Sequence, residues 1–423
     1  MRTDAVNIET DVNIHLENRS KSRMFFLFLW LMYAGVYMTK NAFNGALASI
    51  VAEGILTKSQ TGFITAMFYL VYTPLQIVGG LVSDKYSPEK IIKIGLLGAA
   101  VSNAVIYINQ NYYVMLFAWM FNGVVQFGIW PAIFKIISSQ LVRSDRKQMT
   151  FYISFSSTAG LVMSYLFAAL VSNWRYNFSF SAMLLLVFAV ALHIYEKYLN
   201  KYMVRDKAEE IVIKDNTKGK EQIPAMKVFS MSGFFFLAVS VVFSILVQQS
   251  RGSLASVMFM ENYSGVSPSL GNVLTTVLII SGFVGTLISG NIIYKVKNEL
   301  KVISVLLLSM LPFFAVCIFV GNIPIYIVIG ALCVIAALES IAAVMRNGYT
   351  MLFAKYNKSG TAAGIINSAM AFSFMLSAYV MPRIVELYSW RTLVILWIVL
   401  ILISVITVSF GIKKNKLFKS RGE

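Results

Sequence analysis

Ionic side chains are scarce: Asp, Glu, Lys and Arg make up only 13% of the 423 residues, against about 25% in soluble domains. With 58% hydrophobic residues and a mean hydropathy of +0.71, that excludes a water-soluble enzyme, a disordered tail protein and a coiled coil. Cysteine is nearly absent, and Cys317 and Cys333 both fall in apolar runs, so neither a disulfide framework nor a cysteine metal cluster is expected. Only two histidines are present, His15 and His193, too few for a histidine metal centre. No Gly-rich loop ending in Gly-Lys-Ser/Thr occurs, so nothing supports drive by ATP. No catalytic motif is found, no cofactor is expected, and the chain reads as a non-enzyme.

Long apolar runs are what the sequence does have. A bilayer-spanning helix needs about 20 such residues, and twelve candidates run over 24–45, 60–82, 91–109, 113–140, 149–172, 176–196, 229–259, 268–293, 302–320, 324–353, 360–382 and 391–412. The runs are continuous and lack period-two alternation, so they are helices rather than barrel strands. The expected fold is an all-α membrane protein of two pseudo-symmetric six-helix bundles. Its divisions are a tail at 1–23, a bundle at 24–196, a linker at 197–227, a bundle at 228–412 and a tail at 413–423.

The net charge of +17 resides in short Lys/Arg blocks between the spans, which argues for membrane orientation rather than nucleic-acid binding. With the N-terminus inside, 28 of the 36 Lys and Arg fall in inner segments and four (Lys58, Arg175, Arg383, Arg391) in outer ones. Both termini are therefore expected in the cytoplasm of a cell with its inner membrane as the host.

The halves echo one another. Asn173-Trp174-Arg175 opens span 6 and Ser389-Trp390-Arg391 opens span 12, 216 residues on. The Gly79-Gly80 pair, read as a turn after span 2, has a counterpart in Gly290 after span 8. Parallel six-helix repeats mark one large class of secondary transporters.

The stretch Gly80-Leu81-Val82-Ser83-Asp84-Lys85-Tyr86-Ser87-Pro88-Glu89-Lys90 resembles the signature between helices 2 and 3 of the major facilitator superfamily. It implies a conformational latch at Gly80, Asp84 and Lys85, with Pro88 in place of the usual second Gly. Within that superfamily the chain resembles the organophosphate–phosphate antiporter group. The resemblance rests on Lys40-Asn41, on Val82-Ser83-Asp84-Lys85 with Ser87-Pro88, on Gln126-Phe127-Gly128-Ile129-Trp130-Pro131 and on Gly360-Thr361-Ala362-Ala363-Gly364. The group's phosphate-handling positions are altered: its helix 1 Arg falls at Thr39, its helix 7 Arg at Ser250 beside Arg251, its helix 2 Lys at Gln76 and its helix 5 His at Ser157. Phosphate exchange is therefore not carried over.

Charges inside spans need a reason, because each costs roughly 3 kcal/mol at mid-bilayer on insertion scales. Tyr33, Tyr37, Lys40 and Asn44 recur on one helical face of span 1 and are expected to line a cavity. Snorkelling of Lys40 to the outer interface is the plain alternative. Gln248 and Arg251 sit in the polar run Gln248-Gln249-Ser250-Arg251-Gly252-Ser253, read as a site or as a helix locally broken at Gly252. Gln126 and Trp130 share a polar and aromatic face of span 4 with Asn122, suited to a solute or to helix linkage. Arg346 and Glu339 lie seven residues apart on span 10, and Glu339 is the candidate proton carrier.

Three interior cations against one acid favour an anionic solute. The expected activity is secondary transport of a small organic anion, an organic phosphate or carboxylate, by alternating access. The partners expected are that solute and the lipid bilayer, with protons or a counter-transported anion left open, no nucleic acid, and a monomeric state. A proton-driven exporter of drugs or metabolites is one alternative, and a transporter-like sensor without flux is another.

Overall fold

The computed structural model describes residues 13–16, 18–171, 173–199, 201–206, 225–292, 296–356 and 358–420. Each half builds six membrane-length passes. In the first half α1 (Arg19–Lys40) and α2 (Ala42–Ala52) make the first pass, and α3 (Lys58–Lys85) and α4 (Pro88–Ile108) the next two. The broken pair α5 (Tyr112–Val125) and α6 (Ile129–Ser139) follows, then α7 (Arg146–Leu170) and α8 (Arg175–Leu199). A short α9 (Ala225–Ser232) leads into α10 (Phe234–Asn262), α11 (Pro268–Ile292), α12 (Glu299–Cys317), α13 (Ile325–Met351), α14 (Ser359–Leu387) and α15 (Trp390–Ser420). Among the described residues, eleven spans are long and apolar enough to cross a membrane. The 28-residue α3 is long enough to make the remaining pass.

Local chemistry sets the helix ends. Thr57 and Gln60 form a reciprocal capping box at the start of α3. Asn18, Asn111 and Asn298 accept backbone N–H groups at the starts of α1, α5 and α12. Pro88 opens α4, where its missing N–H costs nothing. Gly233, between α9 and α10, takes φ +85° and sits so close to the Gly411 carbonyl that a Cβ would lie 2.7 Å from it. Both the left-handed backbone and the close approach demand glycine there.

The all-α fold is as expected, and two expectations of local structure are corrected. The fold is helical, yet it also contains one two-stranded antiparallel ladder, β1 (Asn13–Leu16) with β2 (Met203–Asp206), joining the N-terminal segment to the start of the linker. The rest of the linker, 207–224, lies outside the described residues. The Gly79-Gly80 pair is not a turn: α3 continues through it to Lys85, because Gly79 packs against the Phe127 carbonyl, 2.8 Å from a built Cβ, and needs no bend. Nor is α10 broken at Gly252; it runs unbroken, with Ser250 and Arg251 of the run met by Trp397 and Glu339 of neighbouring helices.

In lipid the hydrophobic effect does not drive helices together, so close backbone approach and interhelical hydrogen bonds hold the bundle. A Cβ on Gly160 would lie 2.2 Å from the Ala34 carbonyl, and one on Gly285 2.3 Å from that of Ala337. Ser240 and Ser404 hydroxyls pair across α10 and α15 at 2.6 Å. The outward surface carries Leu27, Ile94, Ile108, Leu170 and Val187, as a lipid-facing wall should.

The repeat read from the Trp-Arg pairs is visible as geometry. Trp174 Nε1 donates to Glu53 at the end of the first pass at 3.0 Å. Trp390 Nε1 donates to Glu261 at the end of α10, the first pass of the second half, at 2.8 Å.

Candidate functional site

The first pass breaks at Asn41, whose side chain donates to the Tyr37 carbonyl at 2.8 Å and so caps the end of α1. The break delivers the Lys40 amino group to a ring of aromatics. Its Nζ lies 3.6 Å from the centroid of the Tyr72 ring and 5.5 Å from those of Tyr37 and Phe68, within cation–π range. Tyr33 meets Tyr37 edge-on at 5.6 Å and Trp130 at 4.9 Å. Gln76 donates to the Tyr72 hydroxyl at 2.7 Å. Tyr69 reaches the second half, with its ring 5.4 Å from Phe374 and its hydroxyl interacting with Gln249. Tyr165 donates across the bundles to the Gly252 carbonyl at 3.1 Å. Among the described residues Lys40 has no acidic partner.

The sequence-selected residues fall into separate groups. Tyr33, Tyr37, Lys40 and Trp130 gather at this aromatic wall. Asn44, past the break, is 7% exposed and donates to Asn41 at 3.3 Å. Gln126, 3% exposed, donates to Asn122 at 2.7 Å and so ties up the hinge between α5 and α6. In the second half, Arg251 Nη2 is in direct contact with Glu339 Oε2, and both are buried. Trp397 donates to the neighbouring Ser250 at 3.0 Å, which turns Ser250 into the bundle core. Arg346 makes no ion pair with Glu339 among the described residues; it borders a narrow cavity shared with Gln248. The three interior cations therefore stand in three environments: Lys40 among rings, Arg251 on a carboxylate, Arg346 beside a cavity.

Of the latch residues, the side chains of Gly80 and Asp84 lie outside the described residues, and Lys85 is the exposed last residue of α3. Two other sets of contacts stand out. On the side of the termini, Asp145 receives Arg19 at 2.8 Å and Arg23 at 3.2 Å. The hydrogen-bonded Arg19 guanidinium holds the Asp145 carboxyl well below the usual carboxylate range. On the opposite side the bundles are bolted together. Lys58 Nζ lies 2.7 Å from Glu261, and the Ser59 backbone N–H and hydroxyl both donate to Glu386. Asn272 donates to the Gly45 carbonyl at 2.9 Å. A Cβ on Gly62 would lie 2.3 Å from the Ala378 carbonyl. These joints belong to the half of the molecule away from the termini.

Among the described residues, membrane-length helices in two matching halves, with buried ionic and aromatic groups between and within them, define a multi-pass membrane protein. A profile of the Major Facilitator Superfamily matches residues 29–303, and the chain belongs to that superfamily. It is a multi-pass membrane protein of a transporter class and not an enzyme. It is 23% identical over 275 residues to the membrane sensor protein UhpC of Salmonella typhimurium, 62% of each chain. A probable hexose phosphate transport protein of Chlamydia trachomatis is 26% identical over 29% of this chain and 26% of that one. The chain thus aligns with less than two thirds of the length of these curated relatives. In structure it is similar to a bacterial homolog of the human lysosomal transporter Spinster, with a TM-score of 0.73, 15% identity and coverage of 95% and 98%. It is also similar to a D-xylose–proton symporter, with a TM-score of 0.69, 14% identity and coverage of 92% and 97%.

Sequence reasoning did not find Tyr69, Tyr72 and Tyr165. Tyr69, Tyr72 and Gln76 follow helical spacing on α3, so that signal was present. Tyr165 faces the site only through the packing of α7 on the second half, which no spacing reveals.

Proposed function

We propose that this protein carries a small organic anion, a carboxylate or organic phosphate, across the cytoplasmic membrane by alternating access, with both termini in the cytoplasm. One observation carries the reading: a lysine amino group inside a membrane domain, walled by Tyr37, Phe68 and Tyr72 and, among the described residues, without an acid to neutralise it. A cation in that setting is expensive unless something negative visits it. Tyrosine hydroxyls and ring faces complement a solute with an anionic end and a polar body. Arg251 stands at the second-half wall, already paired with Glu339 and able to exchange that partner for the solute. The relatives named for hexose phosphate and glycerol-3-phosphate transport favour an anionic cargo. The contacts on the face away from the termini make this the state closed to the outside.

The test is uptake of radiolabelled organic phosphates and carboxylates into proteoliposomes. Lys40→Met is expected to lower uptake by at least about tenfold, the scale of one lost charge-assisted contact, with normal folding. Wild-type rates in that variant would overturn the reading.

A second reading is a sensor that binds the same anion without moving it. It is favoured by two relatives named membrane sensor proteins, the second 27% identical over 34% of this chain. Saturable ligand binding with no flux in sealed vesicles would select it.

A further inference from the structure

Arg346 is 6% exposed and carries five N–H donors, yet among the described residues none of them meets an acceptor, and its Nε is wholly enclosed. Buried guanidinium groups are ordinarily paired, because an isolated charge in a low-dielectric interior is costly. Glu339 is within electrostatic reach of Arg346 but is held by Arg251. Two guanidinium groups thus share one carboxylate, which leaves one positive charge unmatched inside the second bundle.

Arg346 borders a cavity of about 20 Å³ with Ser240, Ser244 and Gln248 of α10 and Glu339 of α13. The rest of its wall is apolar and comes from α10, α12, α13 and α15, so the first bundle contributes nothing to it. The Gln248 amide, like the Arg346 guanidinium, has no partner among the described residues. The volume decides what can enter: about 10–15 Å³ of such space holds one water, so there is room for one monatomic occupant and none for an organic phosphate or carboxylate. Charge then decides between monatomic candidates. A water would accept from Arg346 and could donate to Glu339 Oε1, which has no partner among the described residues, but it would leave the positive charge in place; an anion answers the charge.

We propose that the cavity beside Arg346 is a binding site for a halide ion, chloride under ordinary conditions. Arg346 supplies the charge and the Gln248 amide completes the donor set, while the Ser244 hydroxyl, which donates to the Ser240 carbonyl at 3.0 Å, only borders the site. The Glu339 carboxylate, which also borders the cavity, is neutralised through its Oε2 by Arg251. The site is distinct from the Lys40 wall and does not rest on the transport reading: it is a fixed counter-ion within one bundle, which stabilises the packing of α13 on α10 and α12.

The experiment is thermal unfolding of the full-length protein in detergent, with sodium chloride replacing sodium gluconate at constant ionic strength. Gluconate is too large for the cavity. The wild-type midpoint is expected to rise on the order of 1–2 °C for each tenfold rise in chloride, as linkage requires for a ligand of the folded state. Arg346→Gln should abolish the dependence and Gln248→Leu should weaken it. Equal wild-type midpoints in the two salts, or a chloride shift that persists in Arg346→Gln, would overturn the proposal. If that variant does not fold, crystals of the wild type grown in bromide give the answer. An anomalous peak beside Arg346 supports the site, and a peak-free cavity holding water alone refutes it.

Discussion

Glu261 is shared between two partners that belong to different bundles. Trp390 of its own half donates to it at 2.8 Å, and Lys58 of the opposite half reaches it at 2.7 Å. Among the described residues the counterpart acid Glu53 has partners from its own half alone, Trp174 and Arg175. One member of a repeated pair has thus become a bolt between bundles. Replacing Lys58 by Ala should remove the bolt and leave the Trp390 contact intact. Partly exposed pairs are worth about 0.5–1 kcal/mol, so the closed population should fall roughly two- to fivefold. Spin-label distances across the outer face read this directly; an unchanged distribution would show that the bolt carries no weight.

At Gly62 α3 packs tightly against α14, where a Cβ would lie 2.3 Å from the Ala378 carbonyl. Gly62→Leu cannot be housed while the Ala378 carbonyl and Pro382 stay in place, so the outer face should be wedged open. Gly252→Ala is the contrast, because nothing lies within 4 Å of a Cβ there. Labelling of cysteines placed behind the gate should accelerate in the first variant and stay at the wild-type rate in the second.

The Arg251–Glu339 pair is buried on both sides. Glu339→Gln alone strands the guanidinium and should cost about 3–5 kcal/mol. The double change Arg251→Met with Glu339→Leu removes both charges and should recover most of that stability. A fluorescence-detected melting series over Glu339→Gln, Arg251→Met, Glu339→Leu and the double variant measures the coupling. If the double variant melts no higher than Glu339→Gln, the carboxylate does more than balance Arg251, and a proton-carrying role becomes the better account.

Asp145 gives a pH dependence with a definite sign. Its carboxyl is held below the usual range by Arg19, so its contribution is complete above the unfolded-state value of about 3.9 and is lost as pH falls through the lowered folded value. Asp145→Asn should melt below the wild type by a constant interval from pH 8 down to about pH 5. The interval should close in stronger acid. Because Arg19 is well exposed, high salt should narrow it too.

The passes were legible because a bilayer imposes length and apolarity on each one separately, and those are local properties. The ion pairs were not. Arg19 and Asp145 stand more than 120 residues apart, and neither has a neighbour in sequence that announces the other. The face Tyr33, Tyr37, Lys40 and Asn44 was read with an unbroken helical period. Asn41 interrupts that period, which leaves Lys40 among the rings and Asn44 in the packed interior. Glu339 and Arg346 were visible as intramembrane charges, but a partner on another helix, Arg251, was beyond the reach of spacing. Gly252 shows the converse error: a polar run with a glycine resembles a break, while a continuous helix serves once Tyr165, Trp397 and Glu339 each take one side of it.

The β1–β2 ladder changes the mechanics of the molecule. By pinning Met203–Asp206 to the N-terminal strand, it moves the point of departure toward the second half from Leu199 to Asp206. Some seven residues, about 23 Å of extended chain, are withdrawn from the tether. Any rigid-body swing of one half against the other is then on a shorter leash, and peeling off the N-terminal strand would lengthen it.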